Sequence, residues 1–118
     1  MDGGDKEQTI EEAVAELEAN DQVAFNEDGT RTVTLTEPVQ YNNQPVRTLK
    51  FKKPKGKDYR AMDRQKGDIG KSYALAGSLC GFPMRIFDDM EGDDALLCVA
   101  VAGTMGKKSR TSGQSSET

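Results

Sequence analysis

Polar and apolar residues alternate from Arg31 to Thr36, with Val33 and Leu35 on one face and threonines on the other. A period of two in β-branched residues predicts a strand, and Pro38 is expected to close it. A second run, Val46 to Phe51, sets Leu49 and Phe51 on one face and basic residues near the other. Between the runs, Tyr41-Asn42-Asn43-Gln44 supplies turn formers that tolerate left-handed backbone. The pair therefore reads as a β-hairpin ended by Pro54 and Gly56. A lone hairpin is marginal in water and must pack on something.

Elsewhere the period lengthens to that of a helix. Thr9 followed by Glu12 matches a capping box, with Ile10, Ala13, Val14 and Leu17 on one face of a helix ending near Asn20. This helix carries little apolar area and is expected to dock loosely before the turn Asn26-Glu27-Asp28-Gly29. After the hairpin, Lys57-Asp58 opens a helical segment through Tyr59 and Met62, broken by Gly67 and Gly70. A second helix is expected from Lys71 to Cys80, interrupted by Gly81-Phe82-Pro83, and a short third segment from Met84 to Met90. Gly92-Asp93-Asp94 offers an N-terminal cap for a last helix, Ala95 to about Met105, ended by Gly106 and the Lys107-Lys108 pair. No internal repeat is evident. The predicted class is α+β, an N-terminal β-hairpin followed by a small bundle of three or four short helices, with disordered termini. The expected divisions are an acidic arm over 1–29 holding a short helix, a domain over 30–106, and a disordered polar tail over 107–118.

Composition narrows the function. A chain of 118 residues supports one modest core. With no Trp, three Tyr and four Phe, that core must be mostly aliphatic, and a partner or self-association would help to hide its apolar surface. The net charge of −4 conceals an acidic stretch up to Asp28, a basic block from Arg47 to Lys71, and acids again at Asp88, Asp89, Glu91, Asp93 and Asp94. The basic block invites a nucleic-acid reading. Without the interleaved aromatics of a stacking platform, mutual solvation and neutralisation of the charge blocks is the better account. Cys80 and Cys98 lie inside apolar runs and read as buried structural thiols. No signal-peptide pattern is present and no apolar run is long enough to span a bilayer, so a reduced, cytosolic setting is expected.

Enzyme chemistry finds little footing. The absence of histidine removes the commonest general base, the Ser-His and Cys-His pairs and the usual mixed zinc sites. Gly67-Asp68-Ile69-Gly70-Lys71-Ser72 ends like a phosphate loop, but Gln65 stands where its first glycine belongs. Asp88, Asp89, Asp93 and Asp94 lack calcium-loop spacing, so a solvated helix connection with a cap is the favoured reading. No catalytic residue, metal ligand or cofactor is predicted.

One set of residues has a recognisable order. It runs Val33-x-Leu35-x-x-Pro38, then Val46-x-x-Leu49-x-Phe51-x-x-Pro54-x-x-x-Asp58, then two helices joined around Leu79-Cys80-Gly81-Phe82-Pro83, then an acidic turn with Asp93 or Asp94. This resembles the tail assembly chaperone family of Mu-like and related contractile-tailed phages, over about two thirds of the chain. Lys52 stands where that family's pattern more often has arginine, and the acidic extension before Thr30 is longer than the pattern leads one to expect. The resemblance implies a late, non-enzymatic protein of the host cytoplasm, absent from the finished virion. Such a protein coats the tape measure protein until tail tube protein polymerises around it. In many such phages a frameshift adds a longer C-terminal extension.

The residues themselves offer a surface for that task. Leu79, Phe82, Met84, Ile86, Phe87 and Met90 form an apolar set, and Met side chains repack cheaply around varied partners. The set either forms a groove for an amphipathic helix or packs under the hairpin as core. Two other functions compete: a structural virion component such as a head–tail connector or tail protein, and a small nucleic-acid-binding regulator using Arg47 to Lys71.

Overall fold

In the computed structural model, which describes residues 9–117, with side chains over 9–105, the alternating run is the central strand of a three-stranded antiparallel sheet. β1 (Val23–Phe25) pairs with β2 (Arg31–Tyr41), setting Val23 opposite Val33. β2 pairs in turn with β3 (Gln44–Phe51), setting Val33 opposite Leu49 and Arg31 opposite Phe51. Asn42 and Asn43 take φ of 53° and 63°, the two left-handed residues that a tight hairpin turn needs to match strand twist.

Around the sheet lie α1 (Ile10–Glu18), α2 (Gly56–Arg60) continuing into a 3-10 turn (Ala61–Arg64), and α3 (Asp68–Cys80). A 3-10 segment (Met84–Asp89) and α4 (Gly92–Glu117) complete the chain. The class is α+β as expected, but the hairpin is not N-terminal, since α1 and β1 precede it, and five helical segments follow it where three or four were expected. Thr9 caps α1 as read: its hydroxyl accepts from the Glu12 N–H at 3.0 Å, and Glu12 accepts from the Thr9 N–H at 3.1 Å. α1 docks against α4 with Leu17 as its one buried residue. α4 runs on past the expected end near Met105; the end signals at Gly106, Lys107 and Lys108, and the polar tail, fall where side chains lie outside the described residues.

Two expected breaks do not break. Pro38 was to close β2, yet the strand continues to Tyr41. The pairing shifts between Thr34 and Val39, and Pro38 falls inside that bulge, where a missing N–H costs no ladder bond. Gly70 was to separate two helices, but α3 starts at Asp68 behind Gly67, whose φ of 80° supplies the turn. Gly70 sits in the first helical turn, where it interrupts no established ladder.

Sheet and helices close around one core. Val33, Leu49 and Phe51 from the sheet meet Leu79, Ile86, Phe87, Cys98 and Val101 from the helices, each no more than 2% exposed. Inside this apolar setting two carboxylates, Asp58 and Asp94, are both fully buried. Asp94, in the first turn of α4, accepts from the Thr36 N–H (3.0 Å), the Thr36 hydroxyl (2.9 Å) and the Glu37 N–H (3.4 Å). These donors belong to the bulge, so the side chain takes the place of the strand partner that the bulge removes. Gln22 bridges the same group, donating to Asp94 (3.1 Å) and to the Thr34 carbonyl (2.9 Å). Asp58, in α2, accepts from the Lys55 N–H (2.7 Å), from the Lys52 ammonium (2.9 and 3.1 Å) and from the Ser78 hydroxyl. One carboxylate therefore ties α4 to β2, and the other ties the end of β3, α2 and α3 together.

Burial alone would raise both carboxyls. The donors outweigh it, Ser78 then Lys52 and Lys55 at Asp58, and Thr36 then Gln22 and Glu37 at Asp94, and hold both below the ordinary value of 3.8. A carboxyl whose pKa falls on folding stabilises fully above its unfolded value and loses that contribution as pH drops through the folded one. Unfolding stability is therefore expected to be flat near neutrality and to decline below about pH 4, as denaturant titrations across pH would record. Asp94→Ala removes the shared acceptor of the Thr36 and Glu37 N–H groups and leaves a void where a buried side chain stood, and is expected to cost about 1–3 kcal/mol in the same measurement.

Candidate docking surface

The end of α3 decides which apolar side chains reach the surface. Gly81 turns left-handed at φ 80°, and the N–H groups of Gly81 and Phe82 both donate to the Gly77 carbonyl, at 2.8 and 3.2 Å, in a Schellman-type close. The Leu79 carbonyl accepts from the Lys52 N–H at 3.1 Å, fastening the helix end to the end of β3. Phe82-Pro83-Met84 then folds back over α3 at Gly77. A Cβ on Gly77 would stand 2.7 Å from the Phe82 carbonyl oxygen, so this crossing requires glycine.

Six residues were singled out as a partner-binding set, and the fold divides them. Leu79, Ile86, Phe87 and Met90 are buried in the core under the sheet. Phe87 also meets the Tyr73 ring at a centroid distance of 5.2 Å. Phe82 and Met84 are half-buried, with the Phe82 ring edge-on to Tyr41 of the hairpin at 5.3 Å and 88°. They line an open hollow of about 240 Å³ between α3, the Ala61–Arg64 turn and the returning chain. Ala61, Ala74 and Gly77 add to its apolar lining, while Arg64, Gln65 and Ser78 supply polar atoms. The Ser78 hydroxyl is already committed to Asp58. Ala61, Arg64 and Gln65 were not among the six; an alanine and two polar residues carry no hydrophobic signal, and only the fold brings them to Phe82.

The charged blocks resolve in the same way. Lys52 is bound to Asp58, and Lys71 donates to the Gln65 carbonyl at 3.0 Å, so the Gly-Lys-Ser run ties down the start of α3. Arg47, Lys50, Lys53, Lys55, Lys57, Arg60, Arg64 and Lys66 are exposed. In the acidic cluster, Asp88, Asp89, Glu91 and Asp93 are exposed, and no group of three or more His, Cys, Asp or Glu could hold a metal ion among the described residues. The expected capping role falls to Glu91, which accepts from the Asp93 N–H at 3.0 Å. Asp94, read as part of a solvated connection, is instead turned inward to β2. Among the described residues no helix is long and apolar enough to cross a membrane.

The ordered motif in the sequence now has a physical meaning. Lys52-x-Pro54-x-x-x-Asp58 is an ion pair across the start of α2. Val33-x-Leu35-x-x-Pro38 is a strand with one face buried, running into the bulge that Asp94 completes. Of the two acids considered for the turn, Asp94 is therefore the one with a structural role. The molecule is thus a small α+β scaffold latched by two carboxylates, with an open hollow of mixed lining on its helical side. A family model described as phage tail assembly chaperone proteins, E, or 41 or 14, matches residues 32–105. That span covers more than half of the chain, from β2 into α4, and the chain belongs to this phage tail assembly chaperone family. Neither a search of curated proteins nor one of solved structures gave a match.

Both thiols are free. Burial pushes Cys80 up to about 11 and Cys98 up to about 12. Neither is expected to react with Ellman's reagent at pH 8 in the folded protein, while both should react once denaturant unfolds it. Phe87→Ala is expected to cost about 3–5 kcal/mol in chemical denaturation; Phe82→Ala, at the half-buried hollow, should cost clearly less.

Proposed function

We propose that this protein binds the tape measure protein of its phage and keeps that long helical chain soluble until tail tube subunits polymerise around it. The observation that carries this reading is family membership across residues 32–105, the stretch that builds β2, β3, α2, α3 and the start of α4. A second support is physical. The fold holds its core with internal latches yet leaves Phe82 and Met84 partly open at a hollow on the helical side. Partly open, adaptable apolar side chains on a rigid support suit the reversible capture of helices with varied sequences. The work is one of binding, not of bond rearrangement, and its place is the host cytoplasm during assembly.

Co-expression with the tape measure protein tests the reading. The expected outcome is a large gain in soluble tape measure protein and a complex that co-purifies through size exclusion. Purified virions should lack the chaperone by mass spectrometry. Equal solubility of the tape measure protein alone, or stoichiometric presence of this chain in virions, contradicts the reading, the latter in favour of a structural tail component.

A further inference from the structure

We infer that the hollow bounded by Ala61, Arg64, Phe82 and Met84 receives a single apolar side chain from an acidic amphipathic helix, with Arg64 pairing to a carboxylate one helical turn from that anchor. The inference rests on the tape measure reading and specifies which chemistry of that partner is recognised.

Size sets the first limit. At about 240 Å³ and open to solvent, the hollow falls below the range that encloses a cofactor or drug-sized ligand. It matches the scale of one large side chain entering from outside. Its lining sets the second. Ala61, Ala74, Gly77, Phe82 and Met84 supply its carbon, the Ser78 hydroxyl is bound to Asp58, and the polar atoms left are those of Arg64 and Gln65 at the side, so the hollow suits an apolar anchor with a polar neighbour.

Charge decides what surrounds the anchor. Lys55, Lys57, Arg60, Arg64 and Lys66 are exposed along the segment leading into the hollow, against Asp63 as the one exposed acid in that stretch. Asp58, the other acid there, is buried and paired with Lys52. Arg64 itself lines the hollow, and its planar fork is suited to a carboxylate. A helix with an apolar residue at one position and an acid three or four residues away presents both on one face. Tyr59 and Ile69, exposed 38% and 56% on the adjoining α2 and α3, add apolar area on the same elements. Nucleic acid is the other polyanion such a segment attracts, but it has no use for a side-chain-sized apolar socket.

The test uses the full-length chain as wild type, Arg64→Glu and Ala61→Met, the last filling the hollow. Circular dichroism and melting midpoint establish that each variant folds, and Arg64→Glu, at an exposed site, serves if Ala61→Met does not. Each is co-purified with the tape measure protein and applied to overlapping peptides spanning that protein. Both substitutions are expected to weaken binding about tenfold or more. The peptides retained by wild type should carry Leu, Met or Phe with Asp or Glu one turn away. Wild-type affinity in both variants, or retention of basic peptides, overturns this inference and leaves the tape measure role standing. No complex with the wild-type chain removes the role and the inference together. Retention on duplex DNA that Arg64→Glu abolishes and Ala61→Met preserves assigns the surface to nucleic acid and overturns the inference.

Discussion

A carboxylate taken fully out of water is costly unless its oxygens find donors, and this fold depends on two that do. Asp94 reaches from the first turn of α4 into the bulge of β2, and Asp58 gathers the end of β3, the start of α2 and the last turn of α3. Neither is an ornament on a core that would form without it. The bulge leaves backbone donors without a strand partner, and α2 is too short at five residues to hold its own position by propensity. In a chain with few aromatics, directional bonds of this kind specify where each helix sits while the aliphatic core supplies the drive to collapse.

The latches also place the hollow. Ser78 stands on α3 one residue after Gly77, and its bond to Asp58 sets α3 against the Lys52–Asp58 pair. Gly77 then admits the returning chain at close range, which carries Phe82 and Met84 to the hollow. The same ion pair that anchors α2 therefore fixes the turn that follows it, with Ala61 and Arg64. The motif shared in pattern with the phage tail assembly chaperone family is thus in large part a positioning device: of the residues lining the hollow it names Phe82, and the fold brings Ala61, Arg64 and Met84 beside it.

What could be read from the chain and what could not follows from range. The hairpin, its Asn42-Asn43 turn and the Thr9–Glu12 cap depend on neighbours a few residues apart, and the sequence states them directly. β1 was missed because Val23–Phe25 is too short for alternation to stand out. Pro38 and Gly70 carry break signals that the fold absorbs, because their cost depends on whether a backbone N–H is needed there, which pairing decides. Asp94 passed for a surface cap because its partner Thr36 lies 58 residues away. The sequence marks Leu79, Ile86, Phe87 and Met90 as apolar and grouped, but apolar grouping cannot say whether a face is covered by the sheet or left for a partner.

The claim beneath all of this is that Asp94 and Asp58 hold backbone donors that secondary structure leaves unpaired. Amide hydrogen exchange in the native protein reads it residue by residue. Thr36, Glu37 and Lys55 are predicted to be protected to a degree comparable with the paired amides of β2 and β3. Exchange at those three as fast as in the exposed Asn42-Asn43 turn would contradict it.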